Sequence, residues 1–158
     1  MKRIIIQWRS ALLVFLTHQM ALPLLRLLRR EEKFPYSMQE LASMPAHTLG
    51  NALHDFLAER KLDLLPFYAR HDMKHILLEY PTTDEGEGCL QYFMLGNGHV
   101  SFPVLATVLY CGITMPGHWA VFRKAYRRGR AAQSLDGWDW FAVVHQPVEQ
   151  LQKQIFLT

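Results

Sequence analysis

Two histidines and an aspartate occupy one turn of a predicted helix. His71 and His75 are four residues apart, which in an α-helix places them about 40° apart on one face. Asp72 lies about 60° from His75, so its carboxylate can reach the same point. Imidazole nitrogens and carboxylate oxygens are common ligands of divalent metals. The spacing therefore predicts a metal site, against the alternative that these are incidental polar residues on an exposed helix.

A fourth ligand for this site has two candidates. Glu79 follows His75 by another four residues and continues the same helical face. Glu87 can reach the site if the chain turns at Pro81 and the next helix folds back alongside. Helical geometry alone does not choose between these two carboxylates.

Several catalytic frameworks do not fit these residues. A zincin needs H-E-x-x-H with the glutamate as general base, and Asp72 is one methylene shorter. A ferritin-like di-iron site needs two E-x-x-H elements, and the sequence contains none. An HD-type metal phosphohydrolase remains an alternative because the chain has two His-Asp doublets and two later aspartates: His54-Asp55, His71-Asp72, Asp136 and Asp139.

The segments that must position these residues are predicted to be helices. Apolar residues recur at spacings of three and four, and no stretch alternates with the period of a strand. Proline, glycine and short polar residues mark the predicted helix boundaries. These boundaries are Ser43–Pro45, Pro66, Pro81–Asp84, Gly96–Gly98, Ser101–Pro103, Pro116–Gly117 and Pro147. We expect an all-α fold, a single domain of six to eight helices over residues 1–158 with an N-terminal amphipathic helix.

Residues 1–30 combine an apolar run with six cations and no acid. The run 10–25 is too short to span a bilayer, and its His18, Gln19 and Pro23 make it too polar. It also lacks the small-x-small site of a signal peptide. We expect an amphipathic helix that either packs on its own domain or lies on a membrane surface. A second basic segment, residues 123–130, carries five cations, but neither segment has a nucleic-acid-binding signature, so no nucleic acid is expected as a partner.

The size and the cysteine content of the chain narrow the class of protein. Its 158 residues, half of them hydrophobic and 20% charged, suit one globular domain and not a disordered chain. Cys89 and Cys111 form no C-x-x-C pair, and two cysteines are too few for a disulfide scaffold. We predict that both are buried free thiols.

The motif His71-Asp72-x-x-His75, eleven further residues and then Glu87 resembles the H-D-x-x-H-x(11)-E metal motif of the fourth coenzyme Q biosynthesis protein family. The likeness covers about residues 43–156. The family usually carries a Gln-Thr-Gly-like element where this chain has Asn97-Gly98 and then His99. The other segments that resemble the family are Met44-Pro45, Thr48–Gly50, Phe56-Leu57, Tyr80–Thr82, Gly129–Ala131, residues 138–140 and Pro147–Leu151.

The resemblance implies that His71, Asp72, His75 and Glu87 bind the metal, which would favour Glu87 over Glu79. It implies a helical fold and a divalent metal, zinc first, with iron, manganese or magnesium as other options. The implied activity is that of a lyase, the oxidative decarboxylation at ring carbon one of a polyprenylated hydroxybenzoate during ubiquinone synthesis. No catalytic residue beyond the metal ligands is predicted. The alternative is an isoprenoid-lipid-binding scaffold of a quinone-biosynthesis complex, with a structural metal.

The resemblance also implies where the protein works and with what. Expected partners are a polyprenyl quinone precursor or another isoprenoid lipid, a membrane surface, other quinone-biosynthesis proteins and a second copy in a homodimer. The expected location is cytoplasmic, peripheral at the inner membrane of a bacterium. From the supply of apolar residues we further expect the metal at the mouth of an apolar tunnel, beside Leu77, Phe93 and the run 102–110.

Overall fold

The computed structural model describes residues 33–156, and in this range the chain is helical or irregular, with one isolated antiparallel bridge between Thr48 and Pro147. The predicted all-α fold is confirmed. The N-terminal helix expected within residues 1–30 lies outside the described residues. The helices of the described range are α1 (Met38–Ala42), α2 (Leu49–Glu59), α3 (Ala69–Leu78), α4 (Asp84–Gly96), α5 (Phe102–Thr114), a first 3-10 helix (Pro116–His118), α6 (Trp119–Ala131), a second 3-10 helix (Ala142–His145) and α7 (Val148–Phe156).

Side-chain caps fix where the helices begin. Ser37 and Glu40 form a capping box at the start of α1, a helix that the sequence did not predict. At α4 the hydroxyl of Thr83 accepts a hydrogen bond from the N–H of Gly86, as the predicted boundary requires. Each cap satisfies a backbone donor that has no partner within its helix.

Two predicted helix starts are displaced along the chain. Ser43 ends α1 instead of opening a helix, and the cap of α2 is Thr48. A serine can take either role because both need only a short polar side chain. Residues 66–68 form a turn, so α3 begins at Ala69 and not at the predicted Pro66.

The described helices group into two units, of which the first comprises residues 33–80 and 131–156. Here α2 packs against α1, α3 and the second 3-10 helix, while α3 also packs against α7. The side-chain amide of Gln152 on α7 donates to the carbonyl oxygen of Leu77 at 3.2 Å. This packing holds α3 between two neighbouring helices. The fully buried core residues of this unit include Leu41, Leu49, Leu53, Leu57, Met73, Leu77, Leu151 and Ile155.

The second unit comprises residues 81–130 and contains α4, α5, the first 3-10 helix and α6. Phe93 of α4 and Phe122 of α6 are fully buried in it. Two glycines allow α4 and α6 to touch backbone to backbone. A Cβ on Gly96 would overlap the carbonyl oxygen of Tyr126, and a Cβ on Gly129 would overlap that of Phe93.

Two further features of the described helices are their length relative to a membrane and the exposure of the run 102–110. No single described helix is long and apolar enough to cross a membrane; α5 and the stretch Pro116–Ala131 pass that test only together, as a pair bent by 104°. In the run 102–110, Val104 is buried but Phe102, Leu105 and Leu109 are exposed. The tunnel and the single domain stay predictions.

Candidate metal centre

Helix α3 brings the imidazoles of His71 and His75 together. Their Nε2 atoms are 3.0 Å apart, and their ring centroids are 4.6 Å apart. His75 is only 2% exposed, whereas His71 is half-buried. Phe56 of α2 stacks on His75 with ring centroids 6.3 Å apart, and Tyr68 lies against His71 at 4.7 Å. Aromatic rings thus support both histidines that the sequence places on one helix face.

The second ring nitrogen of His75 is held by the backbone. Its Nδ1 lies 2.8 Å from the carbonyl oxygen of Tyr80. A carbonyl only accepts, so Nδ1 carries the proton and donates it, and Nε2 is the ring nitrogen that can offer a lone pair to a metal. Metal-binding histidines commonly have this arrangement, in which the outer N–H is fixed so that the other nitrogen faces the ion.

The backbone of Glu79 makes this hydrogen bond possible. Its φ of 58° and ψ of 37° lie in the left-handed region, and this conformation ends α3. The chain reverses there, which lets the carbonyl of Tyr80 reach back to His75. The same reversal takes Glu79 out of the helical register that made it a candidate ligand, and its side chain is exposed.

Substitutions at Glu79 should separate the backbone effect from the loss of the carboxylate. The left-handed conformation costs a residue with a Cβ about 1–2 kcal/mol, and a β-branched residue tolerates it least. We expect Glu79→Gly to stay within about 1 kcal/mol of the parent in free energy of unfolding, because relief of strain opposes the added entropy of the unfolded chain. Glu79→Val should lose about 1–2 kcal/mol relative to Glu79→Gly. Urea denaturation measures both, and equal stabilities would argue against a strained turn.

The other two predicted ligands lie in different units. Asp72 follows His71 in α3, and its side chain is 9% exposed. Glu87 lies in the first turn of α4 and is half-buried. The N-terminal turn of a helix favours a carboxylate because the backbone N–H groups there carry partial positive charge. The metal-binding roles of Asp72 and Glu87 stay predictions.

Most of the residues of the alternative phosphohydrolase site are engaged locally. Nδ1 of His54 lies 2.9 Å from the carboxylate of Asp55, which is exposed. The carboxylate of Asp139 accepts two backbone N–H groups, each at 3.1 Å, at the start of the second 3-10 helix. Asp136 is exposed. These contacts give the His54-Asp55 doublet and Asp139 local structural roles.

Burial suppresses the reactivity of the Cys89 thiol. Cys89 and Cys111 are both free and buried, as predicted. Burial raises the pKa of the Cys89 thiol to about 11, with a further contribution from the nearby carboxylate of Glu85. Because the thiolate is the reactive form, Cys89 is inert at neutral pH.

Two supporting groups escaped the sequence analysis, namely the ring of Phe56 and the carbonyl of Tyr80. In the sequence, Phe56 belongs to a segment that resembles the family, with no indication that its ring would contact a histidine. A carbonyl group has no sequence signature at all. The one available signal was Pro81, because a proline biases the residue before it towards an extended conformation.

The pair of imidazoles fits a divalent metal. Two nitrogens each about 2.0–2.1 Å from one zinc ion, at a tetrahedral angle, lie about 3.3 Å apart. The observed 3.0 Å separation of the Nε2 atoms is close to this value. Imidazole suits zinc and iron alike, so these two nitrogens do not choose between them.

Comparison with known proteins adds a likeness in fold. No protein-family model and no curated protein sequence matches the chain. Its fold is similar to that of a crystal structure from Nostoc punctiforme, a protein with the provisional name of ubiquinone biosynthesis protein. The TM-score is 0.63 at 18% sequence identity, with 98% of this chain and 82% of that chain covered. At this low identity, the comparison shows only that the two proteins share a helical fold.

Proposed function

We propose that this protein is a metal-dependent enzyme of ubiquinone biosynthesis that acts on the ring of a polyprenylated hydroxybenzoate. The proposal rests chiefly on the His71–His75 pair, with its Nε2 atoms 3.0 Å apart and the Nδ1 of His75 held by the Tyr80 carbonyl. The metal motif in the sequence supports this choice of pathway. The name of the Nostoc punctiforme protein of similar fold points to the same pathway.

In this proposal His71 and His75 bind the metal with Asp72 and Glu87, and zinc is the first candidate, with iron as the second. A bound divalent ion would supply a Lewis acid for the phenolate or carboxylate of the substrate. The protein's own contribution is to hold His75 in one tautomer and in one orientation. The carbonyl of Tyr80 keeps the proton on Nδ1, and the stacked ring of Phe56 limits rotation of the imidazole.

The proposed reaction replaces a ring carboxyl group by a hydroxyl group. The bond between ring carbon one and the carboxyl carbon breaks, carbon dioxide leaves, and a new carbon–oxygen bond forms. With water as the oxygen source, this exchange releases two protons and two electrons. Dioxygen, reduced to hydrogen peroxide, would accept both and complete the balance.

The substrate class explains the other expected partners. A polyprenyl chain gains about 25 cal/mol for each Å² of apolar surface that it buries, so an apolar pocket near the metal would anchor the ring through its tail. Such a lipid resides in a bilayer, which fits a protein that is peripheral at a bacterial inner membrane. Residues 1–30, the predicted attachment segment, lie outside the described residues.

Turnover by the purified full-length protein tests the proposal. The protein is loaded with zinc or ferrous iron and supplied in detergent with a short-chain prenylated hydroxybenzoate under air. We expect carbon dioxide and the ring-hydroxylated product by mass spectrometry with one of these metals. His75→Ala should reduce this signal to the level of the metal-free protein.

The same assay separates the enzyme from a scaffold protein. Bound isoprenoid lipid and bound metal without turnover, with either ion, would favour a lipid-binding protein with a structural metal. Hydrolysis of a phosphate ester that depends on His54 would instead favour the phosphohydrolase. Either result would contradict the proposed decarboxylation.

A further inference from the structure

Helix α5 exposes a row of large apolar side chains. The exposed residues recur at spacings of three and four, which confines them to a sector of about 80° on the helix. The opposite side of α5, with Val104, Thr107 and Cys111, is buried. Core packing therefore does not explain the exposed row. Its members and their exposed fractions are Phe102 69%, Leu105 46%, Leu109 65% and Ile113 70%.

A row of arginines continues from this apolar row on helix α6. Trp119 begins α6 and is 59% exposed. Arg123, Arg127 and Arg130 follow it within a sector of about 80°, and all three are exposed. No aspartate or glutamate occurs between Glu87 and Asp136, so the segment has no internal acid to neutralise these charges.

The two rows meet at Trp119. Its indole N–H donates to the carbonyl oxygen of Gly112 at 2.7 Å, across the bend between α5 and α6. Gly112 is the residue before Ile113, so the tryptophan lies at the end of the apolar row where the arginine row starts. Both rows belong to the second unit, and together with Trp119 they form what we name the apolar–basic face.

We propose that the apolar–basic face docks on the surface of a bilayer that contains anionic lipid. Apolar side chains of a surface-lying helix enter the boundary between headgroups and acyl chains, while its cations contact the headgroups. Tryptophan is enriched at that depth because its ring is amphipathic. Helices α5 and α6 expose these three kinds of side chain, namely the apolar row, Trp119 and the arginine row.

Other occupants fit only half of the face. A second copy related by a two-fold axis through the apolar row would pair the two apolar rows but would leave the exposed arginines without anionic partners. A nucleic acid would pair with the arginines but leave the apolar row in water. An anionic bilayer satisfies the two rows at once.

The inference does not depend on the metal or on turnover. It also concerns residues other than the basic segment 1–30, for which a membrane contact was predicted from sequence. Loss of vesicle binding with intact metal content would therefore bear on the face alone, and loss of metal with intact vesicle binding on the proposed function alone.

Flotation of the full-length protein with vesicles tests the docking. The vesicles are phosphatidylcholine with and without phosphatidylglycerol. We expect binding to the anionic vesicles that weakens as salt rises, because the Debye length falls to about 3 Å at 1 M. The double variant Leu109→Ser/Ile113→Ser and the double variant Arg123→Gln/Arg127→Gln should each bind at least about tenfold less. Circular dichroism confirms that the variants fold, which is expected because all four side chains are exposed.

Matched controls distinguish position from composition. Lys124 is exposed on α6 but lies about 90° around the helix from the middle of the arginine row, so Lys124→Gln should change binding less than about twofold. Leu65 is 47% exposed and lies in the other unit, so Leu65→Ser should have no effect. Arg29→Gln/Arg30→Gln removes two charges from the N-terminal segment and tests that segment separately.

Three results would overturn the inference. Unchanged vesicle binding by both double variants, with a loss in Arg29→Gln/Arg30→Gln, would assign the membrane contact to the N-terminus. A dimer that Leu109→Ser/Ile113→Ser converts to a monomer without loss of vesicle binding would make the face a contact between copies. Equal losses in the double variants and in their matched controls would show that no particular face is used.

Discussion

Replacement of His75 by alanine should lower the affinity for zinc at least about 100-fold. Loss of a group that only orients a ligand usually costs about 10–100-fold, and His75 is expected to be a ligand itself. Its imidazole is buried, its Nδ1 is fixed by the Tyr80 carbonyl, and its Nε2 lies 3.0 Å from that of His71. Competition against a chromophoric zinc chelator measures the change, and elemental analysis of the purified protein gives the metal content.

Two substitutions serve as controls for this result. His54→Ala removes a histidine of α2 that interacts with Asp55, so zinc binding should be unchanged. Glu79→Ala removes the other candidate carboxylate, which is exposed beyond the end of α3, and should also leave zinc binding intact. If Glu79→Ala lost the metal while His75→Ala retained it, the assignment of the site would be wrong.

The helices could be predicted because local chemistry decides where they begin and end. Thr83 accepts a backbone hydrogen bond at the start of α4, and Asn97 follows its last residue within the predicted glycine break. The capping box of Ser37 and Glu40 carries a sequence signature too, yet the short α1 was not predicted. Boundaries that rest on a single serine or proline, such as Ser43 and Pro66, were placed wrongly.

Only part of the metal site could be predicted from the sequence. Helical periodicity was sufficient to bring His71 and His75 together, since both lie on one helix. The groups that hold His75 were not predictable, because a carbonyl at Tyr80 and a left-handed turn at Glu79 depend on how the chain leaves α3. The apolar–basic face was missed for a related reason. The run 102–110 was expected beside the metal, and composition alone does not reveal that Phe102, Leu105 and Leu109 meet water.

The contact of α4 with α6 depends on tertiary structure in the same way. The sequence showed Gly96 as part of a helix break and Gly129 as part of a basic segment. In the structure each lies where the other helix's backbone comes closest, at the carbonyl oxygens of Tyr126 and Phe93. The side-chain amide of Asn97 also donates to the carbonyl of Gly129 at 3.1 Å. Any side chain at either glycine must therefore push the two helices apart.

Gly129→Ala should accordingly lower the free energy of unfolding by about 3 kcal/mol or more, at the upper end of the cost of overpacking. Its Cβ would overlap backbone of α4, which cannot rotate away as a flexible side chain can. Gly117→Ala is the matched control, because no atom lies within 4 Å of a Cβ there, and it should change stability by less than about 0.5 kcal/mol. Urea denaturation followed by circular dichroism compares the two variants. Equal stabilities would mean that α4 and α6 do not meet at Gly129, because an alanine methyl cannot occupy the space of a carbonyl oxygen in van der Waals contact.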